Sequence, residues 1–134
     1  MFEPFSFLRS VAFAVLFAGI EYRYVNRREE EWTRKVESFY EKAAFWIISP
    51  YQAYLLLPTF VVVAFALPVS AWAGNTFLVA VAEDMAYFAW RGSRVVKGEW
   101  TTMLFGSFTV NGHEVSVWWP LGLLIAAALY LMPL

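Results

Sequence analysis

The sequence predicts an all-α polytopic membrane protein of about four transmembrane helices, with a cytoplasmic interfacial amphipathic helix and a short β-hairpin or re-entrant loop between the last two spans. Three observations carry that expectation. Of 134 residues, 60% are hydrophobic, 20% aromatic and only 16% charged, which is too apolar for an ordinary soluble domain. The net charge of −1 conceals two charged blocks separated by long bare tracts. And inside one of those tracts, NTFLVAVAEDMAYFAWR (75–91), Glu83 and Asp84 stand side by side in a helix-length apolar segment. A carboxylate near the bilayer centre costs about 2.5–3.5 kcal/mol on insertion scales, so such residues face protein or a wet cavity.

The first span is expected over residues 4–24. Its apolar part is short for a bilayer that asks for about 20 residues, so Arg9 and Glu21 must sit near the two interfaces or face protein. A signal peptide is the competing reading of VAFAVLFAGI. No small-x-small site follows it, and Glu21, Tyr22 and Arg23 come at once, which favours a retained span.

Residues 28–48 read as an interfacial helix. Trp32, Val36, Phe39, Ala43 and Trp46 recur at spacings of three or four and line one face, while the opposite face is charged. Glu31 to Lys35 is an attractive i,i+4 pair and Glu37 to Glu41 a repulsive one, the mark of a solvated face. Such a helix lies along the membrane surface with its tryptophans at headgroup depth.

A second span is expected over 50–68, kinked at Pro58 and closed by Pro68. A third follows over 75–91, where Asn75 can cap the first turn and residues 69–74 form a short link. Adjacent on one helix, Glu83 and Asp84 point about 100° apart and cannot share a narrow seam. Tyr87 lies one turn beyond Glu83; Phe88 and Arg91 follow Asp84.

Between the last spans, Asn111-Gly112 is a type I′ turn signal. Zipping outward from it pairs Val110 with His113, Thr109 with Glu114, Phe108 with Val115 and Ser107 with Ser116, giving a hairpin over 106–117. Phe108, Val110, His113 and Val115 then share an apolar face, expected to lie down on the bundle or the membrane surface. The last span covers 117–134, opens on two tryptophans that act as interfacial anchors, and offers Gly122 and Ala126 to Ala128 as a smooth packing surface.

All Lys and Arg residues except Arg9 fall in or beside the segments between spans one and two and between spans three and four. The positive-inside rule puts those segments in the cytoplasm and both termini outside, as an integral protein of the cell membrane. The chain is one domain.

The chemistry this allows is narrow. Two neighbouring carboxylates in a low dielectric do not both ionise cheaply, so one holds a proton or the pair shares a cation. Glu83, Asp84 and Tyr87 form the candidate ion- or proton-binding site. Glu83, Asp84 and His113 form the candidate metal set, for a metal or a monovalent cation as cofactor. Glu21, Arg91 and Glu99 are candidates to orient or neutralise those groups.

With no cysteine and a single histidine, thiolate and multi-histidine sites are excluded. The GxSxG, HExxH and glycine-rich phosphate motifs are absent. The leading expectation is cation, metal or proton binding, with translocation as its use. The alternative is an accessory or assembly subunit whose acid pair docks a partner helix, and the third is a metal-dependent membrane enzyme acting on a lipid-like substrate. The partners expected are the lipid bilayer and either further copies of the chain or a membrane complex; nucleic acid is not among them.

Overall fold

A computed structural model describes residues 2–25, 55–92, 95 and 105–134. The expected interfacial helix over 28–48, the opening residues of the second span and Glu99 lie outside the described residues.

Helix α1 spans Pro4–Ile20. Its start is set locally: Pro4 fills the first turn, where a missing N–H costs nothing, and the Glu3 carboxylate accepts from the Phe5 and Ser6 amides at 2.9 and 2.7 Å. Past Ile20 the winding loosens into a π turn over Glu21–Val25. Ser6, Ser10, Ala14 and Ala18, four residues apart, form the buried stripe, while Phe5, Leu8, Leu16 and Ile20 are exposed.

Helix α2 is short, Leu57–Val63, with Pro58 in its first turn. Leu55 and Leu56 just before it are wound in a wider π turn. The expected kink therefore takes the form of a wide turn, where a proline that cannot donate to the preceding turn is accommodated. The helix also ends earlier than residue 68, at Val63. Arg9 accounts for that end: its Nε donates to the Val63 carbonyl at 3.0 Å and its terminal amino group to the Phe65 carbonyl, satisfying acceptors that a helix C-terminus leaves open.

Helix α3, Val69–Arg91, is the axis of the fold. It begins six residues before the expected Asn75, directly after Pro68, so the link between the second and third expected spans is residues 64–68. Ser70 explains the early start. Its amide donates to the Leu134 carbonyl at 2.8 Å and its hydroxyl to that of Met132 at 3.0 Å, so the first turn is tied to the other end of the chain. Gly92, at φ +70°, closes the helix in the left-handed conformation that glycine adopts without strain.

Strands β1 (Ser107–Val110) and β2 (His113–Ser116) pair antiparallel in the register that zipping from Asn111-Gly112 gives. Both turn residues have positive φ, +50° and +79°, as a type I′ turn requires. Of the two surfaces expected to receive its apolar face, however, the bundle is not the one the hairpin meets. Phe108 and Val110 face outward, 40% and 45% exposed, while Ser116 is wholly buried. The single residue Val117 joins Ser116 to the next helix, so the covalent link sets which face lies inward.

Helix α4, Trp118–Tyr130, has 13 residues and at 1.5 Å per residue is about 20 Å long, shorter than the expected span over 117–134. Its last residues leave the helix and supply the carbonyls that Ser70 meets. Among the described residues one helix, Pro4–Arg23, is long and apolar enough to cross a membrane; Trp118–Tyr130 is apolar but shorter.

The contacts fix the helix directions. On one side of α3, Ser6 meets Asn75, and Tyr22 meets Tyr87 at 6.0 Å, so α1 runs parallel to α3. On the other, Tyr130 meets Asn75 and Trp119 meets Asp84, so α4 runs antiparallel. The apolar core gathers Ala14, Leu56, Phe60, Ala64 and Val79, with Phe13, Phe17 and Trp72 against it. Backbones approach closely at Gly122, where a Cβ would lie 2.4 Å from Val81. Gly122 and Ala126 are buried, whereas Ala127 and Ala128 face outward.

Candidate functional site: a carboxyl pair between two helices

Helix α3 presents its two adjacent acids to two different neighbours. Glu83 is turned toward α1 and is 4% exposed. Across the seam stands Glu21, carried by the π turn that prolongs α1; Tyr22, next on that turn, packs on Tyr87 one turn past Glu83 with ring centres 6.0 Å apart, which brings the Glu21 side chain up to that of Glu83. The Oε1 of Glu83 is buried and has no hydrogen-bond partner among the described residues. An ionised carboxylate only accepts hydrogen bonds, so a hydrogen bond between two carboxyls requires a proton on one of them.

Asp84 is also buried, and it faces α4. Its Oδ2 accepts the indole N–H of Trp119 at 2.7 Å. The same indole packs on Phe88, ring centres 5.7 Å apart, and the Arg91 guanidinium lies 4.4 Å above the Phe88 ring. Tyr87, one turn past Glu83, contacts Tyr22 and Phe88 edge to face.

The candidate residues thus divide. Glu83, Glu21 and Tyr87 gather at the α1 side of α3, and Asp84 and Arg91 with Phe88 and Trp119 at the α4 side. His113 is exposed on the hairpin, and among the described residues no three His, Cys, Asp or Glu side chains converge on a point that could hold a metal.

Trp119 was not foreseen as a partner of Asp84, because a Trp-Trp pair opening an apolar segment reads first as an interfacial anchor. Asn75 was also missed as a junction. It is wholly buried, donates to the Ser6 hydroxyl at 2.9 Å and to the Ala64 carbonyl at 3.2 Å, and accepts from the Tyr130 hydroxyl at 2.7 Å. Its signal in the sequence was an amide in an apolar run, and the cap expected of it does not form because the helix already begins at Val69.

Compared with protein-family models, curated proteins and solved structures, the chain matches none.

Proposed function

We propose that this chain is a small integral membrane protein of four spans whose buried carboxyl pair, Glu83 with Glu21, binds a cation or a proton for translocation. The observation that carries the functional part is the Glu83 carboxyl, buried beside a second carboxyl, its Oε1 without a partner among the described residues. A group so costly to bury without compensation is retained where binding compensates it.

The membrane part is supported by an inverted distribution of side chains. Ser6, Ser10, Ser70, Asn75, Glu83 and Asp84 are buried, while Phe5, Leu16, Val62 and Leu124 are exposed. Small residues inside and large apolar ones outside are what helices packing in lipid call for. The parallel course of α1 and α3 agrees with an alternating topology in which the basic segments are cytoplasmic.

The reading as an assembly subunit whose acid pair docks a partner helix has less support, since both acids already face helices of their own chain. The enzyme reading lacks a converging ligand set among the described residues.

Reconstitution into liposomes containing a pH-sensitive dye tests the proposal. Under an imposed potassium diffusion potential, wild type is expected to move protons or to show cation-coupled flux, and Glu83→Gln to lose it with native mass unchanged. Absence of both flux and ligand binding in wild type would sink it.

A further inference from the structure

We infer that the ligand of the Glu21–Glu83 pair is a single proton held between the two carboxyl groups, in preference to a metal or alkali cation; the inference rests on the reading above that this pair is a binding site. The geometry around Glu83 carries it. A bound metal ion asks for about four ligands at zinc and about six or more oxygens at magnesium or calcium. Next to the pair along the α1 stripe come Ala18 and Ala14, both wholly buried, and Val79 on α3 is wholly buried as well. Among the described residues these three bring no side-chain oxygen, and Tyr22 and Tyr87, which pack edge to face beside the pair, bring hydroxyls and no further carboxylate.

The third carboxyl, Asp84, is turned away to α4 with its Oδ2 taken by the Trp119 indole. A proton needs only two oxygens in hydrogen-bonding reach, and Glu21 with Glu83 supplies them. The balance is simple. One proton from solvent adds to one carboxylate, giving a carboxylic acid that donates to the other carboxylate, with a single negative charge left on the pair.

The charged and titratable groups around Glu83 agree with a small ligand. The π turn brings Glu21, Tyr22 and the exposed Arg23; α3 itself carries Asp84, Tyr87 and Arg91; α4 adds the uncharged indole of Trp119. Glu21 is half-buried whereas Glu83 is sealed. The proton therefore enters and leaves through Glu21. In the other direction, toward Asn75, the seam is closed by Ala14 and Val79.

Infrared difference spectroscopy on the full chain, in a maltoside detergent that has no carbonyl, tests this. Spectra taken across a pH titration are expected to show the carbonyl stretch of a protonated carboxyl that persists above the range in which ordinary glutamates titrate, shifted by ¹³C-carboxyl glutamate labelling of the wild-type chain. The band should be lost in Glu83→Gln and in Glu21→Gln, and unchanged by sodium, potassium, magnesium or calcium chloride.

A band abolished by one of those salts would make the cation the ligand, overturning the proton assignment while leaving the binding site. No band above the range of ordinary glutamates and no response to any salt would overturn both. A band insensitive to glutamate labelling would place the proton elsewhere, and that arm needs no variant to fold.

Discussion

Trp119 and Asp84 join α4 to α3 through one short hydrogen bond, indole Nε1 to carboxylate Oδ2 at 2.7 Å, in a pocket where Asp84 is almost wholly out of solvent. A bond to a buried charged group counts for more than a surface one, because removing the donor takes away part of what offsets the desolvation of the carboxylate. Trp119→Phe keeps an aromatic ring against Phe88 and removes the donor, and it is expected to destabilise the fold by about 1–3 kcal/mol. Asp84→Asn keeps an acceptor and should cost less. Unfolding in mixed micelles of increasing dodecyl sulfate measures both, and the double variant should be non-additive by about 0.5–3 kcal/mol. Strict additivity would mean that the bond does not couple the helices.

Asn75 holds three elements through one side chain. Asn75→Ala takes the acceptor from the Tyr130 hydroxyl and the donor from the Ala64 carbonyl, while the Ser6 hydroxyl keeps its bond to the Glu3 carbonyl, and is expected to cost about 1–3 kcal/mol in the same unfolding assay. Tyr130→Phe, which removes one partner and leaves the amide its other bonds, should cost roughly 0.5–1.5 kcal/mol.

Gly122 lets α4 pack tightly on the Val81 side chain of α3. A methyl group there would lie 2.4 Å from Val81 Cγ2, so Gly122→Ala is expected to destabilise by about 1–3 kcal/mol through overpacking. Combining it with Val81→Ala should recover part of that loss, as read by the same denaturation midpoint.

Glu3 provides a pH-dependent cap at the start of α1. The Ser6 side chain and amide, with the Phe5 amide, hold its carboxyl below the ordinary value of 4.5. A lowered folded-state value means that the cap's contribution is complete above 4.5 and is lost as pH falls through the lower value. The Phe5 and Ser6 amide resonances should therefore titrate with a midpoint below 4.5 in wild type, and not in Glu3→Gln.

What the sequence made legible follows from how local each signal is. The hairpin register is contained in two residues, Asn111 and Gly112, whose positive φ admits few alternatives. The opposed directions of Glu83 and Asp84 follow from helix geometry alone. The start of α3 was not legible, because VSAWAG has no distinctive helix signal and is held helical by Ser70 bonding to carbonyls more than 60 residues away. The outward turn of Phe108 and Val110 was hidden for a similar reason: hydrophobic alternation tells the two faces of a hairpin apart, but the link at Val117 decides which one is covered. Glu21 was read as a supporting group near an interface, and only the side-by-side course of α1 and α3 makes it the neighbour of Glu83.

The divergent placement of Glu83 and Asp84 also governs what can move. Their directions differ by about 100° around one axis, and each is engaged by a different neighbour, so α3 is keyed against spinning. Turning it to carry Glu83 off Glu21 would pull Asp84 out of the Trp119 indole. A separation of the two glutamates that spares Trp119 must come from the other side, from the π turn at Glu21–Val25, whose looser winding can tighten or slacken by a fraction of a residue. On the proposed reading of the glutamate pair, α3 is the stator and the end of α1 the working part.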